Sequence, residues 1–365
     1  MKEGTVSILE ELGWDLHFAN GFGELHRPDL IAARVINQSK NSYRVYGDYG
    51  DLPASLSGRM LHNRNTGDSY PTVGDWVAIR LDSSALRAVI EAILPRRSRF
   101  SRKVPGSRIE EQVVAANINL AFIVSGLDGG RNLNLRRIER YLALSWNSGA
   151  SPVIVLNKAD LCTDIPAFIN DVERAVWGVP IHVVSAKERM GLDILKEHFV
   201  RGTTAAFLGP SGVGKSSIIN ALLGEERLKV GEVRSQDRRG RHTTSHRELF
   251  LLPGGGVVID TPGIREIQLW AGQDALSGAF TDIEQLALEC HFGNCTHTTE
   301  PGCAISNAIE QGILDAKRFQ SYLKLGKEIR YLEMQQRDKN RLEEKATWKK
   351  ISKWRKEVKK LHPKQ

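Results

Sequence analysis

The chain has 365 residues, of which 41% are hydrophobic and 26% are charged, a composition that excludes wholesale disorder and suits two or three globular domains. No segment reaches the roughly 18 apolar residues of a membrane span and no signal peptide opens the chain, so we expect a cytoplasmic protein without a membrane partner. The net charge of +8 is uneven, because residues 317–365 hold 17 Lys and Arg against 6 Asp and Glu, and this basic tail favours a polyanionic partner.

The first 95 residues divide into a weakly patterned start and a β-rich region. Residues 1–30 form a predicted N-terminal extension with one short helical candidate, ILEEL. From residue 31 onward, runs rich in β-branched and aromatic residues recur at short intervals and are separated by Gly, Asn and Pro. We therefore predict a closed barrel of about five strands over residues 31–95, of the oligonucleotide-binding (OB) type, with another small barrel as the alternative.

A connector and an alternating α/β region follow the barrel. Residues 96–110 are a predicted linker that overlaps the basic, Pro-punctuated stretch ILPRRSRFSRKVPGSR at 93–108. Over residues 111–275, apolar strands alternate with helices, which predicts a mainly parallel sheet covered on both faces. Ligands of such sheets bind at the carboxyl ends of the strands, and the polar motifs of this region all fall at predicted strand ends.

A glycine-rich loop lies between the predicted strand TTAAFLG and the predicted helix KSSIINALLG. Its sequence GPSGVGKS has the spacing G-x-x-x-x-G-K-[ST] of a phosphate-binding loop. The backbone N–H groups of such a loop surround phosphates at a helix N-terminus, the lysine reaches the β- and γ-phosphates, and the next hydroxyl binds Mg²⁺. The predicted nucleotide-binding residues are Gly209, Pro210, Ser211, Gly212, Val213, Gly214, Lys215, Ser216 and Ser217, with Ser216 as the magnesium ligand.

The motif NKAD at 157–160 indicates GTP rather than ATP. The Asp160 carboxylate can accept two N–H groups that guanine presents and adenine lacks, and the Asn157 amide can address acceptors of the base. The string SAK at 185–187 commonly supports the base through its backbone, although so short a string is also an ordinary helix cap. The predicted base-binding residues are Asn157, Lys158, Asp160, Ser185, Ala186 and Lys187.

The γ-phosphate side of the predicted site has weaker signals. The motif DTPG ends the predicted strand GGVVID, where Asp260 can support the magnesium shell and the Gly263 N–H can contact the γ-phosphate. The polar segment RRGRHTTSHRE offers Thr243 or Thr244 as a further magnesium ligand. The sequence leaves open which of the two threonines binds the ion.

The residue that orients the attacking water is less obvious. Many GTPases carry a Gln soon after the glycine of this motif, but here Ile264 follows Gly263, and an alkyl group cannot hold water. His242 is the predicted catalytic residue, with a solvated histidine of no such role as the alternative. We therefore expect slow turnover without a partner.

The order of the motifs predicts a circular permutation. The guanine motif precedes the phosphate-binding loop, whereas an ordinary GTPase domain has them in the opposite order. The two ends of an unpermuted domain lie close together, so that a short loop from LDILKEHFV to TTAAFLG joins them with little change in the core. The segment after Gly263 then leads directly into the C-terminal region, which suggests that residues 264–330 respond to the nucleotide.

A cysteine-rich segment follows the GTPase region. The pattern Cys290-x₄-Cys295-x-His297-x₅-Cys303 supplies three thiolates and one imidazole, enough for one closed, structural zinc site per chain. His291 is a competing imidazole, and reduced cysteines without a metal are the other alternative. The predicted zinc-binding domain is mostly α-helical and covers residues 276–325.

The last predicted region is a basic helical tail over residues 326–365. Trp348 and Trp354 lie among its lysines at near-helical spacing. They suit either stacking on nucleic-acid bases or the packing of an amphipathic helix. The local charge favours RNA binding over a merely solvated helix face.

Together these motifs resemble those of the ribosome small-subunit-dependent GTPase A family (RsgA, also YjeQ), which are circularly permuted GTPases. The likeness covers about residues 31–325 and is carried by VGDWV, LPRRS, LNKADL, GPSGVGKSSIIN, GRHTT, DTPGIRE and the cysteine-histidine pattern. It implies an N-terminal OB fold, a central GTPase domain and a C-terminal zinc domain. It also supports His242 as the water-orienting residue, whereas residues 1–30 and the tail exceed the family pattern.

The same resemblance implies a function. It implies binding to the small ribosomal subunit through 16S rRNA, hydrolysis of GTP to GDP and phosphate with stimulation by that subunit, and a role in its late maturation. The alternative is a zinc-containing RNA-binding protein that uses GTP as a structural or switching ligand with little turnover, for which the missing Gln argues. An ATP-using kinase is disfavoured by Asn157 and Asp160, and nothing in the sequence requires more than a monomer.

Overall fold

The structure is a computed structural model that describes residues 7–39, 42–62, 70–82, 86–103, 111–128, 133–176, 178–228, 247–260, 274–298 and 300–361. The predicted fold class is confirmed: a closed five-stranded barrel, a GTPase domain and a C-terminal helical region with a cysteine-histidine cluster follow one another along the chain. Within the described residues, no helix combines the length and apolar character needed to span a membrane.

The barrel consists of β1 (Ile31–Ser39), β2 (Ser42–Gly47), β3 (Gly50–Leu56), β4 (Trp76–Asp82) and β5 (Arg87–Ile93), with α3 (Gly58–His62) after β3. Its strand order is β1-β2-β3-β5-β4, and pairing of β4 with β1 closes the ring. All pairs are antiparallel except β3 with β5. Side chains alternate across the wall, so that Tyr43 and Val45 of β2 point into an apolar core with Val35 and Ile90.

Two of the motifs quoted from this region meet in space. Asp75 of VGDWV is fully buried, and its carboxylate accepts hydrogen bonds of 2.8 and 2.7 Å from Arg96 of LPRRS. Both motifs therefore help to fix the end of the barrel against the start of the linker. The linker region itself contains β6 (Arg99–Lys103), which pairs with β7 (Glu111–Ala116) in a separate two-stranded sheet.

The GTPase domain is built on a six-stranded sheet with helices on both faces. Its strands are β8 (Leu120–Gly126), β9 (Ser151–Asn157), β10 (Ile181–Val183), β11 (Thr204–Leu208), β12 (Arg247–Leu251) and β13 (Val257–Asp260). Its helices are α4 (Leu135–Ser148), α5 (Ile165–Ala175), α6 (Leu192–Glu197) and α7 (Lys215–Leu223). Alternate residues of β8 enter different cores, with Ile123 in one apolar cluster and Phe122 and Val124 in the other, as expected of a sheet buried on both sides.

The strand order β10-β9-β8-β11-β13-β12 shows the permutation directly. The phosphate-loop strand β11 lies at the centre, parallel to both β8 and β13, although β8 precedes it and β13 follows it in the chain. Residues 198–203 join α6 to β11 and include the predicted short connection at residues 201–202. The antiparallel strand β12 also pairs with β1 through Gln38 and Arg247, so that barrel and GTPase strands form one continuous sheet.

The N-terminal extension packs against the permutation joint. It contains α1 (Ile8–Glu11) and α2 (Leu16–Gly23), the first of which matches the predicted ILEEL candidate. Gly13 has φ 95°, and a Cβ atom there would lie 2.6 Å from the carbonyl oxygen of Gly202 in the connection to β11. Leu12 and Phe18 are buried, so these short helices owe their stability to tertiary contacts rather than to local periodicity.

The C-terminal region consists of α8 (Asp274–Ala279), α9 (Thr281–Leu288), α10 (Ala304–Glu310) and α11 (Ala316–Leu361). The helix α11 has 46 residues and continues without a break through residue 325, where the sequence analysis placed a boundary. Its first turns are packed as far as Ile329, and none of the described side chains beyond that residue is buried. Trp348 is 66% exposed, and the side chain of Trp354 lies outside the described part of the helix.

Candidate functional site

The carboxyl ends of the parallel strands bring most of the described motif residues to one edge of the sheet. Strands β8, β9, β10, β11 and β13 all run in the same direction. The loop GPSGVGKS follows β11, the motif NKAD spans the end of β9, SAK follows β10, and Asp260 ends β13. Motifs separated by about 50 residues in sequence therefore meet in one cleft, as expected of an α/β nucleotide site.

The phosphate-binding loop has a backbone that requires its glycines. Gly209 has φ 145°, and a Cβ atom there would lie 2.4 Å from the carbonyl oxygen of Val124. Gly214 has φ 93°, and a Cβ atom there would lie 2.2 Å from Asn157 Nδ2. Any side chain at these two positions would displace strand β8 or the guanine motif, so the loop can lie close to both only as glycine.

The loop ends at the N-terminus of α7, which begins at Lys215. Val213 is fully buried in the apolar cluster on one face of the sheet and anchors the loop to that cluster. The Lys215 ammonium donates hydrogen bonds of 2.8 Å to the Gly209 carbonyl and 2.6 Å to the Pro210 carbonyl. The lysine thus lies across the concave side of the loop, where the helix dipole also favours an anion.

Asn157 joins the guanine motif to the two other loops. Its side chain is 2% exposed. Its Nδ2 donates to the Val213 carbonyl of the phosphate loop at 2.8 Å, and its Oδ1 accepts from the Ala186 N–H of the SAK motif at 3.1 Å. The side chain therefore has a scaffolding role that the sequence analysis did not foresee. Contact of the same amide with a guanine base stays a prediction.

Asp160 and Ser185 form the second contact between NKAD and SAK. The Ser185 hydroxyl is fully buried, donates to Asp160 Oδ1 at 2.6 Å and accepts from the Glu188 N–H at 3.1 Å. These bonds hold the Asp160 carboxylate in place through its Oδ1 atom. Lys187, in contrast, has a side chain that is 77% exposed and pairs with Glu188 at the surface.

Lys158, the second residue of NKAD, forms an ion pair with a residue that lies outside the sequence motifs. Its backbone is left-handed, with φ 67°, and its ammonium pairs with the carboxylate of Asp128. Asp128 lies two residues after the end of β8. The only sequence signal for Asp128 is its place after an apolar strand, and that position by itself predicts no role.

The γ-phosphate side is described only in part. Ser216 and Ser217 lie in the first turn of α7 and are half-buried, and Asp260 is half-buried at the end of β13. The predicted residues His242, Thr243, Thr244 and Gly263 lie outside the described residues. Their assignment to magnesium, the γ-phosphate and catalysis stays a prediction.

A second site forms between α9 and α10. The ligand atoms of Cys290, Cys295, His297 and Cys303 lie within 4.8 Å of one another. His297 Nδ1 is 3.5 Å from Cys290 Sγ and 3.6 Å from Cys303 Sγ, close to the edge of about 3.6 Å in a tetrahedron with zinc's usual bond lengths. His297 reaches this position because its backbone is left-handed, with φ 59°.

The donor set suits one tetrahedral zinc ion held by three thiolates and one imidazole. Burial opposes ionisation of the Cys303 thiol, but hydrogen bonds from Ser306 and His297 outweigh it and lower its pKa to about 6. The competing His291 is not part of the cluster among the described residues. Its backbone N–H donates to the Gly302 carbonyl at 3.1 Å, which links the residue after Cys290 to the residue before Cys303.

Comparison with known proteins agrees with this geometry. A family model described as RsgA GTPase matches residues 93–270. A small ribosomal subunit biogenesis GTPase, RsgA 1 of Oceanobacillus iheyensis, is 45% identical over 325 residues, which is 89% of this chain and 92% of that protein. A small ribosomal subunit biogenesis GTPase RsgA of Opitutus terrae is 43% identical over 352 residues, which is 94% of this chain and 95% of that protein.

Solved structures show the same architecture. The crystal structure of YjeQ from Thermotoga maritima matches with a TM-score of 0.62 and 26% identity, over 82% of this chain and 98% of that one. The structure of YloQ, described as a circularly permuted GTPase, matches with a TM-score of 0.59 and 23% identity, over 84% of this chain and 96% of that one. The second match bears on the fold alone.

Proposed function

The chain belongs to the RsgA GTPase family, and from this membership we propose that it binds GTP in the cleft described above and hydrolyses it to GDP and phosphate during late maturation of the small ribosomal subunit. The observation that carries the proposal is the hydrogen bond of 2.8 Å from Asn157 to Val213. It joins the guanine motif to the phosphate loop in one pocket. The curated relatives are named for small-subunit biogenesis, which supports the biological role.

Within this proposal five of the described motif residues have a chemical task. Lys215 neutralises the β- and γ-phosphates, the Ser216 hydroxyl ligates Mg²⁺, and Asp260 supports the magnesium shell. Asp160 accepts the guanine N–H groups, while Ser185 holds its carboxylate in place. The bound metal supplies charge stabilisation at the phosphates.

The catalytic group and the switch residues are also part of the proposal. We assign water orientation to His242, magnesium ligation to Thr243 or Thr244, and contact with the γ-phosphate to the Gly263 N–H. A histidine in place of the usual Gln implies slow turnover by the isolated chain. We therefore propose that the small subunit accelerates the reaction.

The proposed partner is the 16S rRNA of the small subunit, bound by a cytoplasmic monomer. The support is electrostatic and structural: an OB-type barrel precedes the GTPase domain, and the exposed part of α11 lies within the basic segment 317–365, which carries an excess of 11 positive charges. OB barrels bind nucleic-acid strands, and Lys and Arg neutralise phosphates.

The first test is GTP turnover by the full chain with and without purified small subunits. We expect strong stimulation by the subunits, and a loss of about 100-fold in Lys215→Ala because one preorganised charge at the phosphates is removed. Lys196→Ala is the matched control, since Lys196 pairs with Asp193 on the surface of α6. A low rate that neither the subunits nor Lys215→Ala changes would instead favour the alternative, an RNA-binding protein with GTP as a bound ligand.

The second test concerns the metal. We propose that Cys290, Cys295, His297 and Cys303 hold one structural zinc ion, which contributes on the order of 10 kcal/mol to folding of this segment. Metal analysis of the purified chain is expected to find one zinc per molecule, absent in Cys295→Ser and retained in Cys162→Ser. A chain that folds fully without zinc, as judged by hydrogen exchange over residues 281–314, would contradict the assignment.

A further inference from the structure

The ion pair between Asp128 and Lys158 links two neighbouring strand ends at the guanine side of the cleft. Lys158 belongs to the motif NKAD, whereas Asp128 belongs to none of the motifs of the nucleotide site. The two side chains are 25% and 19% exposed. A pair that is partly withdrawn from water is screened less than an exposed surface pair, so it can hold a flexible side chain in one place.

The backbone places Asp128 beside Lys158. Strands β8 and β9 are parallel, and Gly126 lies opposite Asn157 in their register. One step further, the Leu127 N–H donates to the Asn157 carbonyl at 2.8 Å, and the Leu127 side chain is 1% exposed. Asp128 follows Leu127 in the sequence, and Lys158 follows Asn157. Because Leu127 is buried and hydrogen-bonded, it fixes the distance between Asp128 and Lys158.

Lys158 itself is held in an unusual conformation. Its left-handed backbone, with φ 67°, begins the short 3₁₀ turn Ala159–Leu161 that presents Asp160. A non-glycine residue in this region is strained and persists where the surroundings enforce it. The side chain still carries several rotatable bonds, and ordering a long flexible side chain upon binding lowers the affinity.

We infer that Asp128 is a positioning residue for guanine nucleotide binding: its carboxylate holds the Lys158 ammonium, so that this side chain is already ordered before the nucleotide arrives. The inference rests on the proposed function, because it requires that NKAD binds guanine. Asp128 does not touch the nucleotide, and it acts through Lys158. Its loss lowers affinity for GDP and GTP alike and leaves the γ-phosphate chemistry unchanged.

The test measures the dissociation constant of a fluorescent GDP analogue for the full chain and for Asp128→Asn, which removes the charge at constant size. We expect Asp128→Asn to weaken GDP binding about three- to tenfold, the equivalent of ordering one long side chain. Asp128→Glu, which keeps the carboxylate, is expected to recover part of the loss. At saturating GTP the turnover number should stay within about twofold, since an interaction that binds substrate and transition state equally changes KM alone.

A double-mutant cycle separates positioning from a general structural effect. In a Lys158→Ala background, Asp128→Asn is expected to cause no further loss of GDP affinity, because its partner is already absent. Asp51→Asn is the matched control, since Asp51 forms an exposed pair with Arg44 on the barrel. Melting temperatures of all variants show whether each one folds.

Three outcomes would overturn the inference. They are unchanged or tighter GDP binding by Asp128→Asn, an equal loss in the Lys158→Ala background, and a loss that Asp51→Asn reproduces. GDP binding requires neither hydrolysis nor ribosomal subunits. If subunits did not stimulate turnover, the proposed function would be contradicted, but the effect of Asp128→Asn on GDP binding could still be measured. If the unsubstituted chain bound no guanine nucleotide, both proposals would be wrong.

Discussion

Two buried arginines join the flanking parts of the chain to the GTPase domain, and they do so with different chemistry. Arg34 of the barrel strand β1 is 1% exposed, and Arg318 of α11 is 4% exposed. In the hydrogen bonds that the structure describes, Arg34 meets neutral acceptors and Arg318 meets two carboxylates as well as carbonyls. Each arginine places a positively charged guanidinium in the interior, where separate elements pack together.

Arg34 forms what we name the N-terminal joint, together with Leu12, Gly74, Asn117 and Thr204. Its guanidinium donates to the Gly74 carbonyl at 3.1 Å, the Thr204 hydroxyl at 2.9 Å and the Asn117 carbonyl at 3.1 Å, and it also contacts the Leu12 carbonyl. These acceptors belong to the extension, the barrel, the residues after β7 and the start of β11. Burial lowers the pKa of Arg34 to about 9.

Arg318 forms what we name the C-terminal joint, together with Glu139, Ala175, Ala279 and Asp282. It donates to both oxygens of Asp282 at 2.8 and 2.6 Å, to Glu139 at 3.1 Å, and to the Ala175 and Ala279 carbonyls at 2.6 and 3.0 Å. Burial by itself lowers the pKa of Arg318, but the bonds and charges of Asp282 and Glu139 outweigh it, and the net shift is upward.

The two joints would lose different interactions without their arginines. Carbonyl groups left by Arg34 are dipoles that can rebind or accept water at moderate cost. The Glu139 carboxylate left by Arg318 is fully buried; it would keep its pair with Arg136 but lose the buried pair with Arg318. The two joints should therefore differ in the size of their response to substitution and in their dependence on pH.

The largest expected effect is at the C-terminal joint. Arg318→Met should destabilise the packing of residues 281–329 by about 3–5 kcal/mol, because a buried ion pair is broken by removing one partner. Hydrogen exchange over this segment measures the loss. Arg140→Met is the matched control, since Arg140 pairs with Glu328 at a half-exposed position of the same interface and should cost less than about 1 kcal/mol.

The cause can be isolated in the same background. If the Glu139 carboxylate, left with Arg136 but without Arg318, is responsible, adding Glu139→Gln to Arg318→Met should restore part of the lost stability. No recovery would mean that lost packing, such as the contact of Arg318 with the Phe280 ring at 4.8 Å, dominates instead.

The N-terminal joint should respond less. Arg34→Met is expected to cost about 2–3 kcal/mol, the price of leaving several buried acceptors partly unsatisfied, and to raise hydrogen exchange in residues 7–30. The matched control is Arg44→Met on the outer face of the barrel, where Arg44 is 52% exposed. A loss as large as that of Arg318→Met would contradict the distinction between neutral and charged acceptors.

The smallest expected effect is on pH dependence. Burial raises the pKa of Glu139 above its usual value, although Arg136 and Arg318 oppose the shift. The folded state therefore binds this proton more tightly than the unfolded chain, and the contribution of Glu139 to stability is present at low pH and is lost as the pH rises through the folded pKa. Relative to Glu139→Gln, the unsubstituted chain should gain stability when the pH falls from 7.5 to 5.

The N-terminal joint is the internal reference for that titration. A pKa of about 9 keeps Arg34 protonated between pH 5 and 7.5, so the deficit of Arg34→Met should stay constant over this range. Denaturant unfolding at several pH values measures both differences. A pH-independent difference for Glu139→Gln would show that its carboxyl group titrates alike in the folded and unfolded chains.

The residues that the sequence analysis predicted and those it missed differ in a simple way. The glycines of the phosphate loop and the ligands of the cysteine cluster were found because their spacing encodes a local backbone shape or a coordination sphere. Arg34 bonds to Thr204 across 170 positions and Arg318 to Glu139 across 179. No local pattern marks a residue whose partners lie so far along the chain.

The extension shows the same limit for secondary structure. Its helices have four and eight residues, too short to be stable alone or to display a full helical period. They are held by buried contacts such as that between Trp14 and Trp76, whose ring centres are 4.8 Å apart. The pattern of residues 1–30 could therefore predict one short helix and not the packing that stabilises both.

The amino-acid sequence alone indicates the family, the permuted order of the nucleotide motifs and the identity of the cysteine-histidine donors. Each of these depends on residues close together in the chain or on recognisable spacing. Only the tertiary structure determines that Asn157 links the NKAD loop to the phosphate loop and to SAK. The same holds for the pairing of Asp128 with Lys158 and for the two arginines that hold the flanking regions against the GTPase domain. These contacts arise where strands that are distant in sequence end side by side, and their energies depend on burial, which only the packed chain defines.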